Sequence, residues 1–156
     1  MNHHLRILYI AYFVTHIPIT ILIDLQGLFS TSYPQILSSI LDWYIISFKD
    51  PLMRETPTWF RSFLLCELCV QLPFFPVAIY GLIYQKNWIR IPLIIYGTHT
   101  ATTVFPILSE ICLSGALRQA EKITLSLIYL PYFLIPLLLV ISGSRNVILF
   151  SPKKKD

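Results

Sequence analysis

FRSFLLCELCVQLPFFPVAIYGL, residues 60–82, is the stretch whose reading decides the fold. It is apolar over the ~20 residues that a membrane-spanning helix needs. It nevertheless carries Glu67, Gln71, Pro73 and Pro76. A carboxylate at bilayer depth is costly unless it is protonated, paired or turned to a cavity. Prolines there free backbone carbonyls, which must find partners inside the protein. A segment that only anchors the chain needs neither. Glu67 and Gln71 stand four apart and so share one helix face. The pattern predicts that this face looks into an intramembrane pocket, closed by the rest of the chain.

The whole sequence agrees with a membrane setting. It has 156 residues, 55 % hydrophobic and 13 % charged, and a mean hydropathy of +0.66. Soluble domains carry ~25 % charged residues. Three further apolar stretches, residues 5–23, 89–113 and 123–141, are near spanning length. The expectation is an all-α membrane protein, a four-transmembrane-helix bundle with an intramembrane ligand pocket. Residues 1–145 make the helical domain and residues 146–156 a tail. The first stretch has no small-residue cleavage site and contains His16 and Pro18, so it reads as a retained helix.

The net charge of +4 is explained by topology. Arg6, Lys86, Arg90, Arg145, Lys153, Lys154 and Lys155 fall on the side of the termini, with Asp156 as their only acid. On the other side Lys49, Arg54, Arg61, Arg118 and Lys122 are offset by Asp42, Asp50, Glu55 and Glu121, with Glu110 close by. The excess of cations places both termini in the cytosol. No basic run is interleaved with aromatics, which argues against nucleic acid as a partner. Cys66 and Cys69 lie within a spanning helix without a second ligand pair, so they read as small buried hydrophobes. No metal site and no cofactor are expected.

Depth along the helices picks out candidate site residues. At 1.5 Å per residue, Asp24 falls roughly one to two turns from the far end of helix one. Glu67 falls about two turns into helix two, which returns from that same end. The two carboxylates therefore share a level, although a lone Asp24 would also serve to mark a helix end at the interface. Tyr132 lies about 14 Å in from that side, where its phenol needs a polar partner. His99 and Thr103 lie about 15 and 21 Å in from the cytosolic end, and His16 is near the midplane. A neutral histidine bonded between helices and a threonine bonded back to its own carbonyls are the ordinary alternatives. The long connection from helix one to helix two is rich in aromatics, and residues 36–48 read as a short helix lying against the bundle. Asp50-Pro51 is a turn or cap signal, which makes Asp50 structural. Lys153 and Lys154 sit third- and fourth-last, the pattern of a dilysine retrieval signal of the endoplasmic reticulum.

Several combinations together resemble a known family. They are His16-Ile17-Pro18-Ile19-Thr20, Asp24-Leu25-Gln26, Trp43-Tyr44, Phe48-Lys49-Asp50-Pro51-Leu52, Cys66-Glu67-Leu68, Gln71 through Pro76, Trp88-Ile89-Arg90, His99-Thr100 with Thr102-Thr103, and Tyr129 through Pro136. In order and over nearly the whole chain they are similar to the EXPERA-domain family, which includes emopamil-binding protein, a sterol isomerase. The chain resembles the receptor branch of that family more than its isomerase branch. The resemblance implies a four- or five-helix membrane fold, a pocket open towards the bilayer, and binding of oxysterols, other sterols and cationic amphiphilic small molecules. It implies a role in cholesterol homeostasis, a homodimer, and contact with the Niemann-Pick C cholesterol transporter. It places the chain in the endoplasmic reticulum membrane, with the nuclear envelope, lysosome and plasma membrane as further sites. It puts the key acids at Asp24 and Glu67, other ligand-lining positions at His16, Tyr44, Gln71, Tyr96, Thr103 and Tyr132, and a structural role at Asp50.

Two carboxylates this close in low dielectric share one proton and carry about one negative charge, which an incoming ammonium would neutralise. Asp24, nearer the polar edge, is the expected counter-ion and Glu67 its protonated partner. Tyr44, Tyr96 and Tyr132 would supply ring faces for the cation. Gln71 and Thr103 would set orientation, and apolar ligands would arrive sideways from the membrane lipids. Two readings compete with a non-catalytic binding protein. One is a sterol double-bond isomerase using the acid and base of the same cavity. The other is a scaffold whose polar groups only join the helices.

Overall fold

The structure is a computed structural model that describes residues 1–29, 32–145 and 148–150. Its described residues form helices and no strand. Four helices are long and apolar enough to cross a membrane: α1 (His3–Phe29), α4 (Thr58–Ile83), α5 (Asn87–Leu113) and α6 (Gln119–Arg145). Between the first two lie α2 (Gln35–Phe48) and α3 (Pro51–Glu55). All four expected spans are present, and the 36–48 stretch is helical as read. Lys153 and Lys154 lie outside the described residues, as does most of the 146–156 tail.

The ends of these helices follow from local chemistry. Asn2 caps α1 by accepting from the His4 amide at 3.1 Å. Asp50 caps α3, accepting from the amides of Leu52 at 2.9 Å and Met53 at 3.2 Å, with Pro51 at the first helical position. Lys49 just before it takes a φ of 59°, the left-handed conformation that ends α2. Arg118 and Glu121 close the start of α6, the Glu121 carboxylate accepting from the Arg118 amide at 2.9 Å.

Prolines do not break the spans. In both α1 and α4 the ladder instead widens into a π turn beside one, Thr20–Asp24 after Pro18 and Glu67–Gln71 before Pro73. The Leu25 amide reaches back five residues to the Thr20 carbonyl at 3.0 Å. A wider turn offsets nearby carbonyls from the helical ladder, and at membrane depth they need partners. The Tyr33 hydroxyl donates to the Ile21 carbonyl at 2.8 Å. Gln26, 1 % exposed, donates to the carbonyls of Leu22 at 2.6 Å and Leu37 at 2.8 Å. That second bond ties α2 to the end of α1. Burial pushes the Tyr33 phenol above its ordinary range, and the charge of Asp24 adds to the effect.

Helices α5 and α6 form the closest pair. A Cβ on Gly97 would sit 2.6 Å from the Pro136 carbonyl oxygen, and one on Gly143 would sit 2.6 Å from Ile94 Cγ1. Small residues at these points let the backbones approach, as membrane helices require in place of hydrophobic drive. The core divides into two clusters. One, around Phe13, Phe75, Leu93, Tyr96 and Leu139, fills the half nearer the termini. The other, around Tyr44, Leu52, Phe60, Ile111 and Leu125, fills the far half. Outward faces carry Val14, Leu65, Val70, Ile95, Phe105, Leu127 and Leu134, all exposed. Only 17–33 % of each span's most apolar window is buried within the protein, so lipid is the natural solvent for the remainder.

Candidate functional site

The two π turns face each other across the boundary between those clusters. Each places polar side chains where a regular helix of the same sequence would not. The first ends on Asp24, and the second begins on Glu67 and ends on Gln71. π turns recur at functional positions because the extra residue re-aims its neighbours. Here they aim at a cavity of about 200 Å³. Every spanning helix contributes to its wall, as does α2 through Tyr44.

Of the sequence-expected residues, His16, Asp24, Tyr44, Glu67, Gln71, Thr103 and Tyr132 line the cavity. One ligand-type atom from each of His16, Asp24 and Glu67 lies within 4.8 Å of the others. Glu67 is held from two sides. Thr20, fully buried, donates its hydroxyl to Glu67 Oε1 at 2.6 Å, and His16 Nε2 lies 3.4 Å from the same oxygen. The His16 ring is fixed in turn, stacked on Phe75 with centroids 4.8 Å apart and set against Tyr132 at 4.7 Å. Gln71 accepts from the Thr100 hydroxyl at 3.2 Å. Thr103 bonds back to the Thr100 carbonyl at 3.0 Å, the local habit of a helical threonine.

Tyr96 is the exception among the expected residues. It is 5 % exposed and is not part of the cavity wall. Its hydroxyl pairs with that of Tyr12 at 2.8 Å, and its ring stacks on Phe74 with centroids 5.3 Å apart. The reason is polar satisfaction. A phenol buried at this depth needs a partner, and Tyr12 supplies one inside the terminal-side core. Tyr96 stands one layer behind the site, touching it through Tyr12, whose ring contacts both His16 and Tyr132. His99 is also absent from the wall.

Asp50 sits at the start of α3. It is fully buried, and besides capping α3 its Oδ2 accepts from Tyr44 at 2.8 Å and Tyr129 at 2.7 Å. The carboxylate therefore positions two ring faces of the cavity while taking no place in the wall itself. Tyr129, Thr100 and Thr20 escaped the sequence reading. Tyr129 stands one helical turn from Tyr132, and Thr100 is three before Thr103, spacings that share a face. Thr20 lies four residues before Asp24 and carried no other signal. Also missed was the convergence of an imidazole with the two carboxyl groups, a set of metal-ligand type where none was expected. The cysteines are unpaired, with Cys66 half-buried and Cys69 and Cys112 exposed.

Comparison with known proteins identifies the family of the chain. The family model EXPERA (EXPanded EBP superfamily) matches residues 36–143. The chain is 44 % identical over 159 residues to sigma intracellular receptor 2 of Xenopus tropicalis, covering 96 % of this chain and 90 % of that one. It is 47 % identical over 148 residues to sigma intracellular receptor 2 of Homo sapiens, covering 86 % and 84 %. At a greater distance, it is 29 % identical over 158 residues to efficient mitochondria targeting-associated protein 19 of Saccharomyces cerevisiae, covering 88 % and 96 %. With its four apolar spans and this extent of similarity, the chain belongs to the EXPERA family.

Proposed function

We propose that the chain is a non-catalytic binding protein of the endoplasmic reticulum membrane. It takes sterols, oxysterols and cationic amphiphiles at the Asp24/Glu67 site and serves cholesterol homeostasis. The observation that carries this reading is the meeting of two carboxyl groups inside an apolar cavity. Such a pair shares a proton and carries about one negative charge. An ammonium entering from lipid cancels that charge and escapes its own desolvation cost. Thr20 and His16 already address Glu67, which leaves Asp24 to meet the ammonium. Tyr132 and the ring faces of Tyr44 and Tyr129, their hydroxyls tied to Asp50, supply apolar and cation–π contact. Gln71 and Thr103 orient neutral ligands through their polar groups. The resemblance to the receptor branch supports the homodimer, the transporter contact and the organelle.

The test is saturation binding of a labelled tertiary-amine amphiphile to membranes, at equal expression of each variant. Asp24→Asn is expected to abolish saturable binding, and Glu67→Gln to weaken it by at least tenfold, the two melting as the parent does. Binding indifferent to both substitutions leaves the scaffold reading in front. The acid–base content of the same cavity favours one second reading, sterol double-bond isomerisation. Turnover of an unsaturated sterol by the purified protein, lost in both variants, would move the reading there.

A further inference from the structure

The cavity holds more ligand chemistry than an amine requires. An ammonium needs one counter-charge and hydrogen-bond acceptors, whereas this site adds a buried imidazole. His16 Nε2 stands 3.4 Å from Glu67 Oε1. Two donors on one tetrahedral ion, each about 2.0–2.2 Å from it, lie roughly 3.5 Å apart. The His16–Glu67 pair already has that separation. The largest spacing in the trio, 4.8 Å at most, closes with a shift of about an ångström at the short Asp24 side chain. We propose that His16, Asp24 and Glu67 form a binding site for a divalent transition-metal ion of the zinc class, open to the cavity at its remaining position.

Charge favours a dication. It neutralises both carboxylates, where an ammonium neutralises one and leaves the other to keep a proton. The imidazole decides the class of metal. Magnesium and calcium seek six or more oxygens, whereas one nitrogen with two carboxylates suits zinc, cobalt or iron. The surroundings act as a support for metal ligands should. The Thr20 hydroxyl fixes Glu67 at 2.6 Å, and Phe75 and Tyr132 hold the imidazole plane. Gln71, 5 % exposed, lines the same cavity with its carbonyl oxygen taken by Thr100. One feature limits affinity. His16 Nδ1 is buried without a hydrogen-bond partner, and a ligating histidine that lacks its outer acceptor binds about 10–100-fold more weakly. Affinity below that of a fully supported site is therefore expected. The proposal goes beyond the amine reading and does not depend on it, though both ligands use the same acids.

The experiment is titration of the purified full chain in lipid nanodiscs with Co²⁺, read by its visible ligand-field absorption, and then displacement by Zn²⁺. One saturable equivalent per chain is expected, with the intensity of a four-coordinate ion. His16→Ala, Asp24→Asn and Glu67→Gln should each weaken it by at least tenfold. His16→Gln, which keeps a polar amide in place, replaces His16→Ala if the latter fails to melt cooperatively. A His3→Ala/His4→Ala double variant removes the exposed histidines near the start of α1 and should leave binding intact. Absence of a saturable equivalent overturns the proposal. So does binding that survives loss of His16 or disappears with His3 and His4. Amine binding is measured separately on the same samples. Metal bound without any amine binding would sink the amine reading and keep this one. Amine bound without metal would do the reverse. Where both bind, saturating Zn²⁺ should raise the apparent Kd of the amine at least tenfold.

Discussion

Two buried residues outside the cavity wall differ in how much the site depends on them. Asp50 accepts four hydrogen bonds, two from α3 amides and two from tyrosine hydroxyls. Asp50→Asn replaces a carboxylate oxygen by an NH₂ that faces donors. Loss of charge-assisted bonds of this kind costs about 1.5–3 kcal/mol each. The variant should melt well below the parent and lose amine binding together with its fold, measured by thermal melting in detergent beside saturation binding. Tyr96 makes the opposite prediction. Its hydroxyl bonds Tyr12 and stands outside the wall. Tyr96→Phe should cost about 1 kcal/mol of stability and leave amine affinity within about threefold, whereas a wall position would lose more. An affinity loss of tenfold or more in Tyr96→Phe, with melting unchanged, would return this residue to the cavity. Sequence similarity to a lining position was enough to nominate Tyr96. It carried no information on which way the phenol would turn to find its partner.

At the scale of elements, the spans matter less for their length than for how they are interrupted. The proline-flanked π turns lie in α1 and α4, and they deliver Asp24, Glu67 and Gln71 to one cavity. The sequence announced Pro18 and Pro73 and thereby a disturbance. It did not announce that each disturbance would be absorbed as one wide turn and not a break. That outcome depends on Tyr33 and Gln26 being near enough to satisfy carbonyls beside the first turn. The α5–α6 pair forms the rigid side of the cavity and rests on Gly97 beneath Pro136. Gly97→Leu forces a side chain against a backbone carbonyl, which cannot move aside as a flexible side chain can. Overpacking of this kind costs about 1–3 kcal/mol. The variant should show a lowered melting temperature and weakened amine binding, since Thr100 and Thr103 ride on the displaced helix. Unchanged melting of Gly97→Leu would mean that the two helices do not meet at this point in the membrane.

The whole molecule is a bundle with unlike ends. The Met1 amine donates to the Leu149 carbonyl, and Asn87 pairs with the Phe150 backbone through bonds of 2.8 and 3.0 Å. The beginning of α1, the α4–α5 turn and the segment after α6 thus close one end together. Arg6, Lys86, Arg90 and Arg145 all belong to it. An excess of cations in short connections favours the cytosol, and in sealed microsomes epitope tags fused to either terminus should both be digested without permeabilisation. Protection of both would reverse the orientation, and protection of one would contradict four spans. The sequence by itself determined the membrane setting, the number of spans and the level at which polar groups gather. These properties are set by local hydropathy and by a fixed rise per residue, and neither depends on contacts between helices. It also marked Asp50 as a cap, because capping is a matter of adjacent residues. Only the tertiary structure decided the rest: that Thr20 and His16 hold the same oxygen of Glu67, that Tyr129 and Tyr44 share Asp50, and that Tyr96 faces away. Those outcomes depend on the rotation of each helix about its own axis. Two wide turns and the close approach of α5 to α6 set that rotation, and no periodicity within one span records it.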